Sequence, residues 1–174
     1  MILVLRTAAM AAGLTGAVGL SQFPEFSQQY TQRLGGAVDE LSRIVTRHEQ
    51  WAADRGLSMD AYLAALAGEG PLAAEQAQAI GHDLDRHARL RAALDALEGA
   101  GPFTRARLAT HIGDREVARA ALQAFRPAVP ATFEGAVFAG TGFLAGWAGL
   151  WALVAFLAGA WAWMTGPFRR VRRR

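Results

Sequence analysis
Residues 135–164 read GAVFAGTGFLAGWAGLWALVAFLAGAWAWM, thirty positions without a charged side chain. As a helix the run is about 45 Å long, and a bilayer core needs only about 20 helical residues. Glu134 bounds it on one side; Gly166-Pro167 and a cluster of arginines bound it on the other. The competing reading is a buried helix of a soluble protein, but few of those run this far without a charge. Trp161 and Trp163 come just before the basic tail, where indoles anchor at headgroup level. Segment 131–166 is therefore expected to cross a membrane.

A second apolar stretch opens the chain. Thr7 to Pro24 carries no charge and follows Met-Ile-Leu-Val-Leu-Arg6. A helix from Met1 to Leu20 is just long enough to span, with Arg6 snorkelling to the interface. A cleaved signal peptide is the rival, with Ala17 and Gly19 as small residues before a cut. The apolar stretch is not tightly bounded as a signal core would be, which favours an uncleaved anchor over 1–22. Both segments space small residues by four: Ala9 with Gly13, Ala12 with Gly16, and Gly142 with Gly146. Such spacing lets helix backbones approach closely, so Gly13, Gly16, Gly142 and Gly146 are packing candidates. Which helices meet is not legible from spacing. If this face mediates assembly, Gly142→Leu or Gly146→Leu would shrink the oligomer.

Charge sets the expected orientation. The 174 residues hold 18 arginines, no lysine and no cysteine, against 15 carboxylates, for a net charge of +3. Residues 21–130 hold 12 arginines and 14 acids. Outside them lie Arg6, Arg169, Arg170, Arg172, Arg173 and Arg174, with Glu134 as the one acid. Basic ends around a mildly acidic middle place both termini in the cytoplasm, with 23–130 on the far side and 167–174 as a cytoplasmic tail. The six flanking arginines are the candidates for orientation signals and lipid-headgroup contacts.

The middle region reads as helices. Phe26, Tyr30, Leu34, Val38, Leu41, Val45, His48 and Ala52 recur at steps of three and four, giving a helix over about 25–54. Ile80, Leu84, His87, Arg91, Leu94 and Leu97, with Leu90 beside them, give a second over about 71–98. Pro71 suits a first turn, and Gly99 with Gly101 suits a stop. Ser58 can cap a short helix ending near residue 67. Two further short helices are expected over 103–112 and 114–125, with Asp114 as a cap. Two arms of nearly equal length around a short tip favour an antiparallel hairpin that leaves the membrane and returns to it. Gly35-Gly36 interrupts the first arm at a cost of about 1–2 kcal/mol in helix propensity. Close approach of a partner backbone would offset this; a kink or break is the alternative. No stretch alternates as a strand does. The expected fold is all-α: two transmembrane helices, an extramembrane antiparallel hairpin and short membrane-proximal helices.

Chemistry is sparse. Without cysteine there is no disulfide, thiol nucleophile or thiolate-ligated metal. His82 and His87 are five apart, off a shared helix face, and Asp83 with His87 supplies two ligands where a metal site needs more. No GxSxG occurs, and Gly140-Thr-Gly142 lies in the apolar run without a preceding strand, so it is not a dinucleotide loop. Glu134 gains from the helix dipole as a first-turn acid. No catalytic residue, cofactor or metal is assigned. The arginine tail follows an apolar span and is read as a lipid contact, not a nucleic-acid site.

The stretches GLTGAVGLSQFPEFSQQYTQRLGGAVDEL (residues 13–41) and FRPAVPATFEGAVFAGTGFLAGW (residues 125–147) resemble a family of small proteobacterial inner-membrane proteins of unknown function. The SQFPEFSQQY and FRPAVPATFEGA blocks are the specific parts of the likeness. The resemblance implies a two-span membrane protein and carries no reaction, ligand or catalytic residue. The lysine-free, Ala- and Arg-rich composition is similar to that of chains from high-GC bacteria. The expected role is a non-enzymatic inner-membrane scaffold or assembly factor with a periplasmic hairpin. It would bind lipid and form a homo-oligomer or join a larger complex. An accessory subunit of a respiratory, photosynthetic or transport assembly is the alternative. A small oligomeric channel ranks below these, with Thr15 and Thr141 the main polar candidates in the spans, and an enzyme acting on lipid or cell wall ranks last.

Overall fold
A computed structural model describes residues 2–127, 129 and 131–170, with side chains as far as 164. Its order is α1 (Ile2–Ser21), α2 (Phe23–Ala53), α3 (Met59–Ala67), α4 (Pro71–Leu97), α5 (Pro102–Arg107), a 3-10 turn (Ala109–His111), α6 (Arg115–Gln123) and α7 (Phe133–Arg170). All of this is helix; no strand occurs among the described residues. The chain divides into two compact units, Met1–Glu25 with Pro127–Arg174, and Phe26–Arg126.

The first unit is a pair of helices long and apolar enough to cross a membrane. Gly16 faces Gly142 and Ala12 faces Gly146, so numbers fall along α1 as they rise along α7 and the pair is antiparallel. Ala9, Gly13 and Gly142 are buried along this seam. The Phe23 and Phe138 rings pack with centroids 5.2 Å apart. Away from the seam the apolar side chains point outward: Leu3 is 77% exposed, Phe156 71% and Trp163 83%. In water such a surface would drive aggregation; in lipid it faces a solvent of its own polarity.

The second unit has a core of its own. Tyr30, Leu34 and Val38 of α2 cluster with Leu90 and Leu97 of α4 and with Val117 and Ala121 of α6. Every buried position on α2 apart from Ser27 belongs to the three-and-four stripe. The stripe on α4 needs one correction. Arg91 lies outward and pairs with Asp95 at 3.2 Å, while Leu90 is buried. A guanidinium one position from the core turns to water because burying it unpaired costs far more than exposing an arginine stem.

Local signals set the helix ends. Ser58 Oγ accepts from the Ala61 amide at 3.2 Å and starts α3. Asp114 accepts from the Glu116 and Val117 amides at 3.1 and 2.9 Å and starts α6. Pro71 opens α4, and Gly99 beyond its end takes φ +71°, a conformation that disfavours a side chain. The helix expected over 103–112 is two pieces, α5 and the 3-10 turn, and α6 stops at Gln123. Leu108 between the pieces turns inward against the core, and that packing outweighs the continuation of a short helix. Gly35-Gly36 neither breaks nor ends α2.

Candidate functional site
The six glycines singled out from the sequence, four by spacing and the Gly35-Gly36 pair as a helix interruption, fall into two groups. Gly13, Gly16, Gly142 and Gly146 meet across the α1–α7 seam. A Cβ built on Gly16 would fall on the Gly142 carbonyl, one on Gly142 on the Gly16 carbonyl, and one on Gly146 on the Ala12 carbonyl. A Cβ on Gly13 would lie 2.7 Å from Cε2 of Phe143. Within this chain the face joins the chain's own helices. Gly35 and Gly36 are different: a Cβ on either would meet nothing within 4 Å. Among the orientation arginines, Arg6 is exposed on α1, and Arg169 and Arg170 fall in the last turn of α7. Arg172, Arg173 and Arg174 lie outside the described residues.

The polar centre of the second unit sits where α2, α4 and the start of α6 converge. Tyr30 is fully buried, yet its hydroxyl donates to the His111 carbonyl at 3.4 Å and accepts from the Asp114 amide at 3.3 Å. Burial pushes the phenol above its ordinary 10.0; the Asp114 amide pulls it back in part, and the Asp114 carboxylate adds to the rise. Arg86 comes from α4 and binds Asp114 at 3.5 Å and Glu116 more closely. These bonds, with Glu116 foremost, hold the guanidinium above its ordinary range. Further along α4, His87 Nε2 lies 2.8 Å from Ser42 Oγ of α2.

Two depressions flank this centre. An open cleft of about 530 Å³ is lined by Tyr30, Arg89, Leu90, Thr110, His111 and Asp114, among others. A groove of about 350 Å³ is lined by Gln32, Arg33 and Gly36 of α2, Arg86 of α4, and Glu116 and Ala120 of α6. A Cβ on Gly36 would meet nothing within 4 Å, so the groove has free space on that side. Among the described residues no group of three or more His, Asp or Glu is placed to hold a metal ion. The Thr110 hydroxyl and His111 Nδ1 are 3.4 Å apart, exposed and adjacent in the chain, too long and too wet for an activated nucleophile.

This centre is therefore a clamp. It ties the returning segment 108–117 to both long helices through partners 28 to 84 residues apart in sequence. Sequence reading placed Tyr30 in the core and Asp114 at a cap, but missed Arg86, whose partners are distant. The one legible hint was a hydroxyl in a stripe that, His48 apart, is otherwise apolar. Arg86→Ala leaves Asp114, a quarter exposed, without its guanidinium. The expected loss is roughly 1–3 kcal/mol, read as a lower midpoint for the second unit in denaturant titration followed by circular dichroism. An unchanged midpoint would remove the clamp from the stability of this unit.

No curated protein and no solved structure matches this chain. A family model does match, over residues 4–163, which take in most of α1, most of α7 and everything between. The chain belongs to the family described as protein of unknown function (DUF2937).

Proposed function
We propose that this chain is a non-enzymatic inner-membrane scaffold or assembly factor, anchored by α1 and α7, whose helical unit α2–α6 stands in the periplasm as an antiparallel hairpin. The observation that carries the anchor is the glycine seam. It joins the two apolar helices through narrow faces and leaves their broad faces apolar and outward, the arrangement lipid favours. The Ser42–His87 contact and the shared core of α2 and α4 support the hairpin. The charge balance of the ends supports cytoplasmic termini, with the flanking arginines meeting anionic headgroups.

The scaffold role rests on what α2 leaves open. Gln28, Gln32 and Gly36 lie exposed on it, and the Gly36 groove lets another backbone approach. Docking on a larger membrane complex as an accessory subunit uses the same face. A pore is less well supported. Thr15 and Thr141 each donate their hydroxyl to a carbonyl four residues earlier, at 2.9 Å, so neither offers a free donor to an ion path.

Two measurements test this. A reporter active only outside the cytoplasm should work when fused near Gly68 and fail when fused after Arg174; the reverse overturns the topology. Native mass spectrometry after gentle extraction from the protein's own membranes tests the role. A homo-oligomer supports self-assembly and a fixed ratio with another complex supports the subunit reading. A monomer without partners overturns both.

A further inference from the structure
Charge within the second unit is segregated along the chain. Residues 26–101 carry seven arginines against eleven carboxylates, whereas 102–126 carry five arginines against two. Both of those carboxylates, Asp114 and Glu116, are held by Arg86 from α4. Arg107, Arg115, Arg119 and Arg126 have no ion pair among the described residues, and all four are exposed. On α6 the arrangement is ordered. Val117 and Ala121 face the core, while Arg115, Arg119 and Leu122 fall at i, i+4 and i+7 on the outward side, with Arg126 continuing the interval just past the helix end. Leu122 is 61% exposed among these cations. Residues 127–132 alone separate the stripe from α7, a tether that reaches at most about 20 Å.

We infer that the outward stripe of α6, Arg115, Arg119, Leu122 and Arg126, docks on the anionic headgroups of the bilayer that α7 spans. The inference rests on the reading of α7 as a membrane span. Arginine forks match phosphate oxygens, and a leucine between them enters the acyl boundary as the apolar residues of interfacial helices do. A six-residue tether to the span keeps the stripe near the headgroups, so modest affinity suffices. The Arg86 clamp has a second consequence here. By engaging both carboxylates at the start of α6, it leaves the outward face cationic.

The chain has no cysteine, so Gln123→Cys on the exposed side of α6 and Glu69→Cys between α3 and α4 each give a single labelling site. The full-length labelled protein is reconstituted in vesicles of phosphatidylcholine, with or without phosphatidylglycerol. Co-flotation that survives alkaline carbonate reports anchoring by itself. Protection of a polarity-sensitive dye from acrylamide reports docking. With phosphatidylglycerol, the dye at 123 should shift to the blue and become protected, while the dye at 69 stays accessible. Salt near 1 M, where the Debye length is about 3 Å, should reverse the protection. Each of Arg115→Gln, Arg119→Gln and Arg126→Gln should lower the docked-to-undocked ratio roughly fivefold, with the helical circular dichroism signal unchanged. Flotation without protection at 123 overturns the docking and leaves the span intact. Equal, salt-insensitive protection in both vesicle types assigns the face to protein contact and also overturns it. Failure to float overturns the span and the docking together.

Discussion

Gly16→Leu and Gly142→Leu should each separate α1 from α7. At both positions a first side-chain carbon would overlap the carbonyl of the facing glycine, and at Gly142 it would also press on Leu20 Cβ at 2.9 Å. Backbone cannot move aside as a flexible side chain can. Relief requires parting the helices along the whole seam, at a cost of roughly 3 kcal/mol or more. In mild detergent the expected result is a lower unfolding midpoint of the first unit during sodium dodecyl sulfate titration, followed by tryptophan fluorescence in a Trp51→Phe background, where every remaining indole lies on α7. Gly149→Leu is the control, because nothing lies within 4 Å of a Cβ there. Spacing alone suggested that Gly142→Leu would act on oligomer size. The seam lies within one chain, so the primary effect falls on the monomer's own packing. Equal midpoints for Gly142→Leu and Gly149→Leu would show that the seam does not hold the pair together.

Tyr30→Ala is the other large effect. It empties the space of the largest fully buried side chain and removes the hydroxyl that meets His111 and Asp114. A loss of about 3–5 kcal/mol is expected for the second unit, as for other buried aromatic residues cut to alanine. Tyr30→Phe keeps the ring and loses the two bonds, leaving the Asp114 amide short of a partner, for about 1 kcal/mol. The ratio of the two separates packing from polarity. Losses of similar size would place the stabilisation in the hydroxyl, against the burial argument.

Tyr30 also makes the stability of the second unit sensitive to alkaline pH. Because its folded-state pKa is raised above 10.0, the unfolded chain gives up this proton first as pH climbs. The contribution is complete below the unfolded value and is lost as pH rises through the folded one. The denaturation midpoint of the parent protein should fall above about pH 10 more steeply than that of Tyr30→Phe. Parallel curves would show that the phenol does not titrate with folding.

Particular residues show what was legible. The apolar run at 135–164, the α2 stripe from Tyr30 to Ala52, and the caps at Ser58 and Asp114 were all readable, because each depends on neighbours within a few positions. Arg91 was misread. Periodicity counts angles around a helix and cannot tell which side of a stripe boundary a long polar stem will choose. The split of 103–112 was missed for a related reason: Leu108 turns inward to a core assembled from α2, α4 and α6, none of them local to it.

By itself, then, the sequence determined an all-helical chain, two helices apolar enough for a membrane, and most of the inward face of α2. These follow from hydrophobic periodicity and from hydrogen bonds closed within a turn or two. The pairing of Gly16 with Gly142 rather than with another chain, the clamp of Arg86 on Asp114 and Glu116, and the open face at Gly35-Gly36 were decided only by tertiary structure. Each sets groups far apart in sequence against one another or leaves a face uncovered. Spacing along one strand of text records neither the partner nor its absence, since close approach and ion pairing depend on distance in space.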